Sequence, residues 1–410
     1  MGPSIVFCAA AIIIFGLGSA PQGTCTTLAA GHDGRVGVLY TGDAISPGYL
    51  TPYMFMRVEP LLSVTPVIAS EIVATHFWGM EGLQMVRRAI RLYIPRSYRQ
   101  LVEGYDVIVL SDATLMVFTT RQLEWMVESV RDDGLGIVMA GGVESFQLGG
   151  WQVTKVADIL PIEMLPDSSG PGFGRVTEPG QELMSSIPWE EGGFRRVNFG
   201  GANMGALRQG ATELAVLEET TGGVVPMMVT GEAGEGRSFA FMPDWTWGWG
   251  GLFSEWEYYG DFTNNLMLFL AAREVPQEIE VLHQARRELL RLDISRGLLI
   301  SLFEFVEKFG ANPLPLEEML DGVDALRGEA ESAYVEQDFN LALELTLEAI
   351  SEAERAEEEA VRIKNAALFW IYLVEWLAVT ATVMISGAAL WGLMVRRRYF
   401  REVRSTRFVG

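Results

Sequence analysis

Asp43, Asp112, Glu144 and Asp244 are the side chains of this sequence best placed to do chemistry. Each stands at the end of an apolar run: RVGVLYTG, YDVIVLS, GIVMAGGV and RSFAFMP respectively. Two carboxyl groups in one pocket can part their pKa values and act as acid and base, as glycoside hydrolysis requires. Such a pair would stand about 5–9.5 Å apart across an open cleft. Ser111 and Ser145 are hydroxyls adjoining two of these acids, and Gly142 lies in the turn before Glu144. Trp245 and Trp247 follow Asp244, and Trp249, Trp256, Tyr258 and Tyr259 come soon after. Aromatics at that density could stack on a sugar, line a groove for a partner, or pack around a closing helix. In an extended segment, alternation would put 245, 247 and 249 on one side.

The groups that are missing narrow the chemistry. The cysteines are Cys8 and Cys25, near the N-terminus, which excludes a disulfide framework or thiolate metal site in the body of the chain. His32, His76 and His283 are scattered, so neither a His-rich metal site nor any cofactor is expected. The formal charge is -22, without the basic footprint that a nucleic acid needs, so a nucleic-acid partner is not expected. The glycine-rich turn at 141–142 could cradle a phosphate, but Glu144 sets a negative charge beside it. Glycines permitting a tight turn are the simpler account.

These side chains need a scaffold that brings strand ends together. Residues 35–41, 67–74, 105–111 and 136–140 read as strands, with helices at 82–89 and 120–131; Thr119 or Thr120 would cap the second helix. Strand, helix, strand at this spacing predicts an α/β head with a flavodoxin-like open parallel sheet. Ligands of such sheets bind beyond the carboxyl ends of the strands. That selects Gly42, Asp43, Ser111, Asp112, Gly142, Glu144 and Ser145 as pocket candidates, with Asp244, Trp245 and Trp247 at the rim. Residues 170–210 read as long loops with short added strands. Further sheet segments follow at 214–217, 224–230 and 237–242, and a helix over 261–272 closes the head. From about 276 the pattern turns helical, over 277–309, 316–336 and 339–365, forming an α-helical stalk. Residues 330–350 resemble one tetratricopeptide-like hairpin in a single copy, too few for a solenoid. Five glutamates within 352–359 suit a solvated helix face.

Two apolar segments bear on location. Residues 5–20 have the length and small-residue ending of a signal peptide, with a retained anchor as the rival reading. From Trp376 to Val395 no charge occurs, enough to cross the lipid bilayer as one C-terminal transmembrane helix. Trp370, Tyr372, Trp376 and Trp391 flank it as an aromatic belt, and Arg396, Arg397 and Arg398 begin a basic tail. The positive-inside rule makes that tail cytoplasmic and the head extracytoplasmic. The expected plan is a signal segment over 1–30, a head over 31–272, a stalk over 273–365, a membrane region over 366–395 and a tail over 396–410.

Two stretches carry a family resemblance. Residues 134–162 (GLGIVMAGGVESFQLGGWQVTKVADILPI) hold the pattern G-G-x-x-S-F-x-x-G-G-W-x-x-T, and residues 234–270 (GEGRSFAFMPDWTWGWGGLFSEWEYYGDFTNNLMLFL) hold the second motif. Together they resemble the glutamine amidotransferase-like family of the class I amidotransferase-like superfamily. Trehalose-utilisation-type domains of the same superfamily are a close alternative. The resemblance implies a flavodoxin-like domain over about 35–272, often attached to membrane proteins. Active members use a cysteine on a strand-to-helix elbow, an imidazole base and an orienting carboxylate. The corresponding turn here, residues 140–145, reads AGGVES and has no cysteine. Ser145 could substitute only if His76 folded back against it. The expectation is therefore a pseudoenzyme that binds a protein partner or cell-envelope ligand, with a carboxylate-dependent hydrolase as the alternative.

Overall fold

The computed structural model describes residues 34–45, 50–70, 75, 82–277, 279–308 and 314–405. The expected signal segment, both cysteines, His32 and His76 lie outside the described residues.

Eleven strands form among the described residues: β1 Val36–Gly42, β2 Leu62–Ile68, β3 Val107–Ser111, β4 Gly136–Ala140, β5 Ile162–Ser168, β6 Gly172–Val176, β7 Asn198–Phe199, β8 Asn203–Leu207, β9 Thr212–Glu219, β10 Val224–Ala233 and β11 Gly236–Phe241. Nine of them make one sheet in the order β2-β1-β3-β4-β11-β10-β9-β6-β7, while β5 and β8 pair separately. The first five run parallel; the remaining four pair antiparallel. β1, β3 and β4 are buried along their whole length, which is why they read as unbroken apolar runs. The second strand forms at Leu62–Ile68 rather than 67–74. Position 66 is a proline, which an edge strand tolerates because one side of its backbone needs no partner.

Among the described residues five α-helices longer than four residues belong to the head, α1 Pro52–Met56, α2 Gly82–Tyr93, α3 Tyr98–Gly104, α4 Thr120–Asp133 and α5 Tyr259–Leu270, with single turns at Glu182–Ser185 and Trp247–Gly250. Thr119 caps α4 in a reciprocal capping box with Gln122, and Gly134 ends that helix in the left-handed region at φ 81°. Every residue of α5 is buried. It packs on β1, β4 and β11, and one apolar core runs from β1 to the aromatic group around Trp189, Phe253 and Trp256.

Three long helices follow: α6 Ile279–Lys308, α7 Leu314–Val335 and α8 Phe339–Ser405. Alanines at 349, 353 and 356 let α8 close on Leu292, Leu299 and Val323 of the other two. The stalk also packs on the head through a buried polar junction. Arg286 of α6 donates from Nε to Glu59 (2.7 Å) and to the Tyr334 hydroxyl (3.0 Å), and from Nη1 to Asp261 (3.1 Å) and Asn265 (2.9 Å). His283 joins through Nδ1 to Asp261 at 2.6 Å. The five glutamates of 352–359 lie along α8, where three of them pair with arginines: Glu354 with Arg291, Glu352 with Arg355 and Glu359 with Arg362. α8 continues unbroken for 67 residues. Among the described residues it is the one helix long and apolar enough to cross a membrane, and its apolar window is wholly exposed.

Candidate functional site

The parallel topology gathers the carboxyl ends of β1, β3, β4 and β11, and with them Asp43, Asp112, Glu144 and Asp244. The backbones there are close. The Asp43 N–H donates to the Ser111 carbonyl at 3.0 Å, and the Gly141 N–H donates to the carbonyls of Phe241 (2.8 Å) and Pro243 (2.9 Å). Gly42 has φ 131°, and a Cβ there would stand 1.7 Å from the Ser111 carbonyl oxygen, so only glycine fits.

Asp43 and Asp244 are 5% and 6% exposed, and one hydroxyl joins them. Thr246 Oγ1 lies 2.8 Å from Asp43 Oδ2 and 2.8 Å from Asp244 Oδ1. A hydroxyl carries a single proton, so it donates to one carboxylate and must accept from the other. A single proton shared between the two acids satisfies that pattern. Trp245 Nε1–H donates to Ser111 Oγ at 2.6 Å, and the Ser111 hydroxyl donates to Asp43 Oδ1. The Thr246 N–H donates to Asp244 Oδ1 at 2.7 Å. Every hydrogen is used once if Asp43 donates from Oδ2 to Thr246 and Thr246 donates to an ionised Asp244. The pKa values have the same order: burial, then the Asp244 charge, pushes Asp43 up to about 7, while burial raises Asp244 to about 6 against four hydrogen bonds that lower it.

Asp112, 8% exposed, sits beside this pair at φ 42°, a left-handed conformation that aspartate tolerates. Its Oδ1 accepts the Glu144 N–H at 2.7 Å. Burial first, then the charges of Asp244 and Asp43, hold its carboxyl well above the ordinary range. Glu144, at the edge of the cluster, accepts from the Ser70 hydroxyl at 2.7 Å. The Ser145 hydroxyl donates to the Ala140 carbonyl at 2.6 Å and is 1% exposed, so a ligand would have to displace that bond to use it. Tyr40 is also fully buried next to the cluster, stacked on Trp245, and its hydroxyl makes no hydrogen bond among the described residues.

The turn after β4 is closed sterically. A Cβ on Gly141 would lie 2.1 Å from the Met242 carbonyl oxygen, and one on Gly142 would lie 2.2 Å from Asp112 Oδ1. Asn203 clamps the same turn: it accepts the Gly142 N–H at 2.9 Å and donates to the Gly142 carbonyl at 3.2 Å. Trp245 is fully buried between Tyr40 and Phe241, Tyr259 is fully buried, and Trp256 stacks on Trp189. Those aromatics serve the core and present no face to a ligand; the side chain of Trp247 lies outside the described residues. Five large apolar side chains are exposed in the connections after β1, β3, β4 and β11, namely Ile45, Met116, Val143, Leu148 and Leu252, beside exposed polar residues such as Thr119 and Glu255. Among the described residues no group of three or more His, Cys, Asp or Glu side chains could hold a metal ion.

Sequence reasoning missed Tyr40, Thr246 and Asn203. Thr246 had a local signal, since Asp-x-Thr is a turn in which the acid accepts the N–H two residues on. Asn203 is 61 residues from Gly142, and nothing local points to their contact.

Residues 83–272 match the model of the family described as "Putative glutamine amidotransferase". The cytoplasmic protein STM3548 of Salmonella typhimurium is similar in structure at 21% identity and a TM-score of 0.45, covering 57% of this chain and 99% of that one. STM1381 of the same organism has 19% identity and a TM-score of 0.42, over 57% and 98%. The carbohydrate deacetylase Agd3 has 8% identity and a TM-score of 0.36, over 58% and 32%. No curated protein matches the sequence.

Proposed function

We propose that the glutamine amidotransferase-like head is a binding module without glutaminase activity, held outside the cytoplasm by α8 and engaging a protein partner or a cell-envelope ligand. The closed turn after β4 carries this reading. In active relatives the nucleophile stands on that elbow, and here the elbow is Gly141–Gly142, where a side chain of any kind would strike backbone or Asp112 within 2.2 Å. The chain has no cysteine after Cys25, and no histidine lies on the elbow, so acyl transfer lacks both nucleophile and base. Exposed apolar side chains on the strand-end loops support binding, since such patches mark contact sites. The exposed apolar window of α8 and the arginines after it support the membrane orientation.

Ammonia release from glutamine by the purified full chain tests the first part. We expect none from the wild type and none from Gly141→Cys, which should also lower the melting temperature. Glutamine-dependent ammonia from the wild type would refute the reading.

The carboxylate hydrolase remains a second reading because one hydroxyl joins Asp43 and Asp244. Their burial weighs against it: the acids of a glycosidase flank a bond that must reach them, and these two are nearly closed to solvent.

A further inference from the structure

A groove unrelated to the strand-end cluster lies along β2, at the free edge of the sheet. It has a volume of about 450 Å³ and is lined by Ser63, Thr65, Tyr93, Arg96, Gln100 and Tyr105 together with apolar and backbone surface. Among the described residues no carboxylate lines it. Gln100 uses its Oε1 to accept the Arg96 N–H at 2.9 Å, which leaves its NH2 to donate elsewhere. The Arg96 side chain is exposed and makes no ion pair among the described residues. It belongs to a run of five arginines within residues 87–99 that contains no acid, in a chain of net charge -22; Arg99 of that run pairs with Glu103, so Arg96 is the charge that the groove itself presents, over a set of hydroxyl and amide groups.

Three classes of anionic occupant can be compared. An extended acidic peptide would need the β2 edge to complete its backbone hydrogen bonds. The Val36 N–H donates to the Leu61 carbonyl, so odd residues of β2 face β1 and even ones face outward. Pro66 is one of the outward residues and has no N–H, which spoils the edge for strand addition. The chain's own bilayer is distant. A neighbouring cavity that shares Ser63 is walled by Val335 and Glu336, just before α8 begins. From Phe339 to Trp376 the helix climbs about 55 Å at 1.5 Å per residue. A saccharide fits what the groove offers: hydroxyls and an amide for sugar hydroxyls, two tyrosines for C–H faces, one guanidinium for a carboxylate.

We propose that this groove is a binding subsite for an acidic saccharide, with its carboxylate on Arg96 and its hydroxyls on Ser63, Thr65 and Gln100. The site shares no residue with the closed elbow, so it stands or falls separately from the missing glutaminase.

Calorimetric titration of the full chain in detergent with trigalacturonate tests it. The wild type should bind. Arg96→Ala and Tyr93→Ala should each weaken binding about tenfold or more, as loss of a charge-assisted or stacking contact would. Arg121→Ala, an exposed arginine outside the groove, should leave it unchanged, and added salt should weaken it. Maltotriose, lacking the carboxylates, should bind at least tenfold more weakly than trigalacturonate. Absence of trigalacturonate binding, equal affinity for maltotriose, or hexaglutamate displacing the sugar at equal concentration would each overturn the proposal.

Discussion

At Asp43 a proton is part of the structure. Neutral Asp43 accepting from Ser111 and donating to Thr246 uses each hydrogen of the chain once, and the higher pKa of Asp43 favours it over the reverse arrangement with Asp244. Asparagine has the same donor and acceptor pattern, so Asp43→Asn should preserve the fold. The sign of its pH effect follows from the shift. Asp43 is raised from about 3.8 unfolded to about 7 folded, so the folded state holds the extra proton between those values. Its contribution is complete at low pH and is lost as pH rises towards 7, at up to about 1.4 kcal/mol per pH unit. Melting temperature should therefore fall less steeply between pH 5 and 7 in Asp43→Asn, with the variant the more stable above pH 7. An unchanged slope would show that Asp43 is ionised throughout. The same variant bears on the hydrolase reading, because full retention of any glycan hydrolysis would exclude Asp43 as its acid.

At the level of elements, Arg286 joins α6 to the head and to α7. Its side chain is 6% exposed, against 0% for Glu59 and 3% for Asp261. Removing one partner of a buried ion pair leaves the others uncompensated, at a cost of about 3–5 kcal/mol. Arg286→Ala should lower the free energy of unfolding in denaturant by that amount and open residues 271–277 to limited proteolysis. Arg291→Ala, whose pair with Glu354 is more than half exposed on both sides, should change stability by less than about 1 kcal/mol. Equal effects from the two would mean that the junction does not hold the stalk to the head.

The whole molecule is a head on a rod. α8 is about 100 Å long at 1.5 Å per residue, and its first third packs on α6 and α7. No proline or π-bulge interrupts it between the packed third and the candidate membrane span. Orientation is open to direct measurement. With Cys8 and Cys25 replaced by serine, Ser351→Cys should react with an impermeant thiol reagent in intact cells, and Ser405→Cys only after permeabilisation. The reverse pattern would place the head in the cytoplasm.

What could be read before folding follows from local or periodic physics. Continuously apolar runs marked β1, β3 and β4 because buried parallel strands have no polar face. A capping threonine at 119 or 120, the helical hairpin over 330–350 and the twenty uncharged residues ending at Val395 were equally plain. β2 was displaced towards the C-terminus because most of its own residues are only half-buried and one is Pro66, which weakens the apolar signal an edge strand gives. The four acids could be assigned to strand ends, since an open parallel sheet fixes which loops converge. That an acid there keeps its proton, that Gly141 and Gly142 admit no side chain, and that the stalk locks onto the head through Arg286 were decided only by the tertiary structure. Each depends on partners 30 to 227 residues apart, and burial and hydrogen-bond direction exist only once those partners meet.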